Sequence, residues 1–290
     1  MNTLCPPPGN KLDGYLDSLE YLPPTPALMI RLIELFRRPD RDVDEIVDLM
    51  RQDLSVTAEV LRRCNSSFFA NQEPVLDIYD AVFRMGFYEV YRITVALFGF
   101  QTMSAARLAK CIPAEPLWRH SAITAIVGGA IARQSGESEA SLFTAGVLHD
   151  VGKIVLAMKE GDRYAELLQH HGTFGASLSY AEECAFDINH GQIGARLLER
   201  WGVPQEIFVP VLYHHQKIWS GPFERQAAII NLANLMAHCI EENTPDKPCE
   251  HPEALHAMKL LRLGHDDIPA LEQEARNDIK RLSCLLAAAN

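Results

Sequence analysis

The stretch TAGVLHDVGKIVL, residues 144–156, carries three residues capable of chemistry inside an apolar helical pattern. These are His149, Asp150 and Lys153, and the apolar residues around them are typical of a protein core. A buried carboxylate is costly unless it is paired or bound to a cation. The stretch therefore predicts that Asp150 is paired or binds a cation.

Histidines provide the other candidate ligands. Of the eleven in the sequence, five lie in or beside an apolar helix: His120, His149, His190, His214 and His215. Imidazole and carboxylate groups together are the ordinary ligands of divalent Zn, Fe and Mn. Successive helical residues point about 100° apart, so His149 and Asp150 can share an ion only if other helices add ligands. Two interpretations stay open: a metal site, or core histidines that are hydrogen-bonded.

The other six histidines lie near helix ends or in polar surroundings. We expect them to be exposed or to cap helix ends: His170, His171, His238, His251, His256 and His265. The metal hypothesis therefore places these six outside the site.

The elements that must position these residues are helices, because apolar residues follow helical spacing along nearly the whole chain. The run from Val90 to Met103 predicts a buried helix that packs two halves into one unit, since it is too apolar to face water. One helix is predicted from Ser138 to the glycine at 161. Further helix ends are predicted at Gly86, Gly136 and Gly202, with Asp162 and Asn189 as N-caps.

The sequence thus predicts an all-α fold in two parts. An N-terminal helical bundle, residues 1–110, packs on a second helical half, residues 111–242, and the proline-containing stretch AKCIPAEPLWRH joins them. Residues 243–290 are predicted to add packing helices at Leu255–Leu263 and Ile268–Leu286.

Composition excludes several classes of protein. No apolar run is long enough to span a bilayer, and the first residues lack a signal pattern, so we expect a cytoplasmic protein without a membrane partner. The seven cysteines are scattered without a CxxC pair, which favours free thiols. The net charge of −11 disfavours direct binding to nucleic acid, which depends on basic patches.

Several motifs resemble a known family. LWRHS, AGVLHDVGKIVL and HGQIGARLLERWGVPQEI…YHH are similar to the HD superfamily, whose metal-dependent phosphohydrolases are named after a His-Asp pair. LPPTPALMIRLIELFRRPD, IVDLMRQDLSVTAEVLRRCNSSFF and AVFRMGFYEVYRI resemble the N-terminal part of the HDOD domain, the HD-related output domain of bacterial signalling proteins. The resemblance covers roughly residues 15–242, and it makes the second half an HD-like half.

The resemblance implies a ligand set. His120 matches the first histidine of the HD pattern, and His149 with Asp150 matches its central pair. Two-metal HD enzymes have further histidines where this chain has His190 and the His214–His215 pair. The implied cofactor is a divalent Fe, Mn or Zn ion.

The same resemblance is incomplete. The late aspartate of the HD pattern falls in IINLANLMA, where Asn234 supplies a neutral amide instead of a carboxylate. The GYP signature of the cyclic-di-GMP phosphodiesterases is absent, since KIWSGPF follows HHQ. Lys153 stands where many HD enzymes keep a lysine near the substrate phosphate, which makes it a candidate catalytic residue.

Two functions follow from the resemblance. The first is a signalling output module without robust catalysis, which acts through protein–protein contacts with a kinase, a response regulator or the transcription apparatus. The second is a metal-dependent phosphohydrolase acting on a nucleotide or cyclic dinucleotide. There, metal-activated water attacks phosphorus, Asp150 orients it and Lys153 stabilises the phosphoryl oxygens. Asn234 and the missing GYP signature favour the first.

Overall fold

The structure of the protein is a computed structural model. It describes residues 9–18, 27–40, 42–65, 74–104, 111–171, 176–244 and 252–281. The described residues form helices and no strands, so the all-α prediction is confirmed. The helices are α1 Gly9–Asp17, α2 Ala27–Arg37, α3 Val43–Arg51, α4 Leu54–Cys64, α5 Ile78–Met85, α6 Phe87–Ser104, α7 Ala114–Ser135, α8 Glu139–Leu148, α9 Val151–Glu160, α10 Asp162–His171, α11 Ala176–Phe186, α12 His190–Arg200, α13 Gln205–Tyr213, α14 Glu224–Glu242, α15 Pro252–Leu261 and α16 Asp267–Arg281.

Helix α6 joins the two halves. It buries nearly every side chain between Val90 and Met103, and it packs against α7 and α8 of the second half. One continuous apolar core runs from Leu12 in α1 to Ala275 in α16. The prediction that the halves pack as one unit is therefore confirmed, while the boundaries at residues 110 and 242 stay predictions.

Charged contacts also connect the halves at the surface. Asp13 and Asp17 of α1 accept hydrogen bonds from Arg196 and Arg200 of α12, at 2.8 and 2.7 Å. The guanidinium of Arg37 lies 2.6 Å from the carboxylate of Glu206. These exposed pairs contribute little stability each, so the core carries most of the association.

Most predicted helix ends are correct. Gly86, Gly136 and Gly202 have φ values of +83°, +73° and +82°, which only glycine adopts at little cost. Asn189 caps α12 in a capping box with Gln192. Asp162 is the first residue of α10 rather than its N-cap. The two C-terminal packing helices lie at Pro252–Leu261 and Asp267–Arg281, and residues 282–286 fall outside the described ranges.

The single helix predicted from Ser138 to the glycine at 161 is wrong. The structure divides it into α8 and α9, with His149 as the C-cap of α8 and Asp150 as the N-cap of α9. The backbone of Asp150 leaves the helical region, at φ −100° and ψ 7°. The apolar residues keep their helical spacing across the break. The sequence pattern therefore does not reveal that the helix ends at His149.

The stretch Glu139–Glu160, across α8 and α9, is long and apolar enough by composition to span a membrane. Among the residues that the structure describes, no other helical stretch meets this criterion, and 94% of the apolar 18-residue window of Glu139–Glu160 is buried inside the protein. A helix in the core of a globular protein passes the same test, because both environments require apolar side chains.

Candidate metal centre

Helix ends bring the candidate ligands together. Asp150 lies at the start of α9, His190 is the first residue of α12, and His214 is the C-cap of α13. Two glycines allow α9 and α12 to meet closely: a Cβ atom on Gly152 would lie 1.9 Å from the carbonyl oxygen of His190 and 2.8 Å from the amide nitrogen of Gly194. This contact places His190 beside Asp150.

Asp150 is the centre of the cluster and is buried. Its Oδ2 accepts a 2.7 Å hydrogen bond from Lys153 and lies 3.3 Å from Nε2 of His149. Its Oδ1 lies 3.4 Å from Nε2 of His190 and 3.9 Å from Nε2 of His214. Burial alone would raise the pKa of Asp150, but the charges of His149 and Lys153 outweigh it and hold this pKa well below the usual value. Asp150 is therefore an anion facing three imidazoles, and the expectation that it is paired is confirmed.

The backbone fixes the orientation of two of these rings. Nδ1 of His149 donates to the carbonyl of Gly146 at 2.8 Å, and Nδ1 of His214 donates to the carbonyl of Val211 at 2.6 Å. Each ring held in this way presents its Nε2 to Asp150. Burial lowers the pKa of His214 well below its usual value, and the neighbouring His149 lowers it further, so this ring is neutral.

A buried carboxylate that the sequence analysis missed orients His190. Glu182 of α11 accepts hydrogen bonds from Nδ1 and the backbone amide of His190, at 2.6 and 2.8 Å, and from the hydroxyl of Tyr164 at 2.6 Å. Metal-binding histidines commonly have such a carboxylate behind the ring. Nε2 of His190 lies 2.9 Å from Nε2 of the partly buried His215. Glu182 is one of two adjacent acidic residues in α11, and nothing in the sequence indicates that it is the buried one.

His120 projects from the second turn of α7 between two groups of α14. Its Nε2 is hydrogen-bonded to Oδ1 of Asn234 at 2.8 Å, and its Nδ1 to Oε2 of Glu241 at 2.9 Å. Its ring lies 5.3 Å from that of His149 and is stacked on that of His238, with centroids 4.4 Å apart. Asn234, the residue at the position of the missing family carboxylate, thus faces the cluster.

The prediction for His238 is wrong. This residue lies about one turn before the end of α14, partly buried against His120, where burial lowers its pKa to about 3, with a further contribution from His120. Its spacing from Asn234, four residues along one helix, was the signal that sequence analysis passed over. Three others are exposed as predicted, namely His170, His256 and His265, and His256 also stacks on Trp219. His251 and the side chain of His171 lie outside the described residues.

The geometry fits a divalent cation beside Asp150. Three buried atoms there have no hydrogen-bond partner among the residues described: Nε2 of His149, Oδ1 of Asp150 and Nε2 of His214. Two ligands of a tetrahedral ion, each about 2.1 Å from it, lie about 3.4 Å apart, which matches the distances from Asp150 to His149 and His190. The donor atoms of His120, His149 and Asp150 all lie within 4.8 Å of one another. The same is true of the donor atoms of His190, His214 and His215.

All six predicted ligands therefore converge in the second half. Their side chains could hold an ion, and their actual role as ligands of Fe, Mn or Zn stays a prediction. Lys153 is in the cluster too, but its ammonium is bonded to Asp150 and buried.

Comparison with known proteins identifies a domain family that matches most of the chain. The HDOD domain family matches residues 22–217. An uncharacterised protein of Treponema pallidum (strain Nichols) is 23% identical over 235 residues, 79% of this chain and 44% of that protein. The chain thus spans less than half the length of this curated relative.

Solved structures agree with the fold. An HDOD domain protein of unknown function from Geobacter sulfurreducens has a TM-score of 0.72 at 23% identity, over 97% of this chain and 96% of that one. A protein from Marinobacter aquaeolei VT8 named for signal transduction has a TM-score of 0.73 at 21% identity, over 96% and 65%. A protein from Shewanella amazonensis SB2B named for phosphohydrolase activity has a TM-score of 0.69 at 19% identity, over 94% and 96%. At these identities the likeness establishes the fold alone.

Proposed function

The chain belongs to the HDOD domain family, and from this premise we propose that it is a regulatory signalling module without robust catalysis of its own. It acts through contacts with another signalling protein: a kinase, a response regulator or the transcription apparatus. The second half keeps the HD-type cluster as a structural or cation-binding centre.

The environment of Asn234 carries this proposal. An amide brings no negative charge to a cation, and the oxygen of Asn234 is already hydrogen-bonded to His120. One anionic ligand, Asp150, remains among the residues that converge at the cluster. A divalent ion held by one carboxylate is bound more weakly than one held by two, because each carboxylate contributes a full charge.

Burial of the cluster supports the same conclusion. His149, Asp150, His190 and His214 have 0–1% of their surface exposed, and Lys153 has 2%. A nucleotide phosphate must contact both the cation and its stabilising lysine to react. In this protein the helices around Asp150 would have to separate before a phosphate could reach these groups.

The alternative function is the metal-dependent phosphohydrolase acting on a nucleotide or cyclic dinucleotide. When bound, a divalent cation supplies Lewis acidity and activates water for attack on phosphorus. His149, Asp150, His190 and His214 would hold it, and Lys153 would have to leave Asp150 to reach a phosphoryl oxygen. The unpartnered buried atoms beside Asp150 are the observation that favours this function.

An exposed apolar stripe favours protein contacts. The outer face of α5 exposes Tyr79 and Phe83, and Leu76, just before the N-cap, continues their helical spacing. The opposite face, with Ile78 and Val82, is buried in the core. Leu76 and Phe83 are 86% and 84% exposed. Large apolar side chains grouped on one face of a soluble protein commonly mark a protein-binding site.

Photo-crosslinking tests the proposal. A photoreactive phenylalanine analogue at Phe83 should crosslink, in cells that express the protein, to a kinase, a response regulator or a transcription protein identified by mass spectrometry. Tyr180, an exposed aromatic residue of the second half, is the matched control position and should give no such product. Rapid hydrolysis of nucleotides or cyclic dinucleotides by the purified chain, lost in His149→Ala, would establish the alternative function instead.

A further inference from the structure

The contact between α7 and α14 brings together two imidazoles and a carboxylate at the edge of the Asp150 cluster. Donor atoms of His120, His238 and Glu241 all lie within 4.8 Å of one another. Nδ1 of His120 is 2.9 Å from Oε2 of Glu241, and the rings of His120 and His238 are stacked at 4.4 Å. We propose that these three residues form a second cation site, separate from the one beside Asp150 and independent of the function proposed above.

Helix geometry directs these groups to one place. Asn234, His238 and Glu241 stand at positions i, i+4 and i+7 of α14, which share one face of a helix. That face meets His120 of α7. Two ligands three residues apart on one helix and a third from a facing helix make a preformed site, so little ordering is needed when the cation binds.

Asn234 selects which nitrogen of His120 is available. Its amide oxygen can only accept a hydrogen bond, so Nε2 of His120 carries the proton in this contact. The nitrogen of His120 that is left to face Glu241 is then Nδ1. A cation bound there replaces the proton between Nδ1 and the carboxylate. The amide that weakens the Asp150 cluster therefore turns His120 towards the second site.

The chemistry of the donors indicates the class of cation. Two imidazoles and one carboxylate are a common ligand set for Zn²⁺, with a fourth position left for water. Both His238 and Glu241 keep part of their surface exposed, 20% for the Glu241 side chain, so a cation can arrive from solvent.

Cobalt titration tests this site, because Co²⁺ takes the place of Zn²⁺ and absorbs visible light according to its ligands. The purified chain, without a histidine tag and stripped by a chelator, should bind Co²⁺ with the intense absorption of a four-coordinate ion. His238→Ala and Glu241→Gln should each weaken this binding at least about tenfold, since even outer-shell changes commonly cost 10–100-fold.

Matched controls separate ligation from general damage. Glu242→Gln changes the adjacent, exposed carboxylate, and His170→Ala removes an exposed histidine, so neither should alter Co²⁺ affinity. Glu241→Gln preserves shape and should keep the circular dichroism and melting temperature of the chelated wild type. Absence of Co²⁺ binding by the wild type, or equal affinity in His238→Ala and Glu241→Gln, would overturn the proposal.

Discussion

At the scale of residues, the charge of Asp150 organises the cluster. Lys153 compensates that charge directly, and Nε2 of His149 lies within 3.3 Å of the same carboxylate. Glu182 gives His190 a fixed orientation from behind. Each of these groups is buried, so removing a partner would leave an uncompensated charge or an unpaired polar atom in the core, which is costly.

Restoring the carboxylate at position 234 should strengthen the Asp150 cluster. We expect Asn234→Asp to raise the Mn²⁺ or Fe²⁺ content of the purified protein, measured by elemental mass spectrometry, because it adds an anionic ligand beside His120. Adding His149→Ala should remove the gain, whereas adding His170→Ala should not. Equal metal content in all these variants would mean that the histidines of this cluster are structural.

Sequence analysis could identify the residues that converge but only some of the contacts between them. His149, Asp150 and His190 stood out because polar groups in apolar helices need partners. His238 and Glu241 did not, because their neighbours in sequence look like an ordinary helix end. Their significance depends on His120, more than a hundred residues away, and no local pattern reports such a contact.

At the scale of elements, the close crossing of α9 and α12 positions Asp150 against His190. Gly152 and Gly194 form this crossing, since their backbones approach too closely for a side chain. The break between α8 and α9 contributes as well, because it gives Asp150 the N-terminal position of α9, where the helix dipole favours an anion.

A methyl group at Gly152 should force the two helices apart. Its carbon would overlap the carbonyl oxygen of His190, so we expect Gly152→Ala to destabilise the protein by about 3 kcal/mol or more in urea unfolding, towards the upper end for overpacked cores. Gly14→Ala in α1 is the control. A methyl carbon there would meet no neighbouring atom within 4 Å, so the change should stabilise by about 0.5–1 kcal/mol. Equal stability of the two variants would contradict the close-contact interpretation.

Helix ends were predictable where their signal is local. A glycine with positive φ, as at Gly136 and Gly202, and an asparagine cap, as at Asn189, act through their own backbone and can be recognised in the sequence. The break at Asp150 has no such signal. It is stabilised by contacts with α12 and α13, which sequence analysis cannot supply.

At the scale of the whole molecule, three buried or partly buried histidines couple stability to pH. Burial lowers the pKa of His214, His215 and His238, and neighbouring histidines lower it further despite the attraction of Asp150. In the unfolded chain the same groups titrate near about 6.5. The unfolded state therefore takes up protons, below this pH, that the folded state does not.

We expect full stability above about pH 6.5 and a loss on acidification, by up to about 1.4 kcal/mol per pH unit for each of these histidines. Urea unfolding of the chelated protein at pH 7.5, 6.5 and 5.5 measures this loss of stability. His238→Gln should reduce the slope by roughly one third, since one of three groups is removed, and the exposed His170→Gln should not change it. A free energy of unfolding that stays constant over this range would contradict the prediction.

The different burial of the two sites has a consequence for rates of exchange. A cation beside Asp150 would be enclosed by side chains with 0–1% of their surface exposed, so its entry and exit should require the surrounding helices to separate, as in local unfolding. A cation held by His238 and Glu241 would be only partly buried and could exchange with solvent more quickly. The ion beside Asp150 would then be the metal that was available when the chain folded. The ion held by His238 and Glu241 would instead be in equilibrium with the metal in solution.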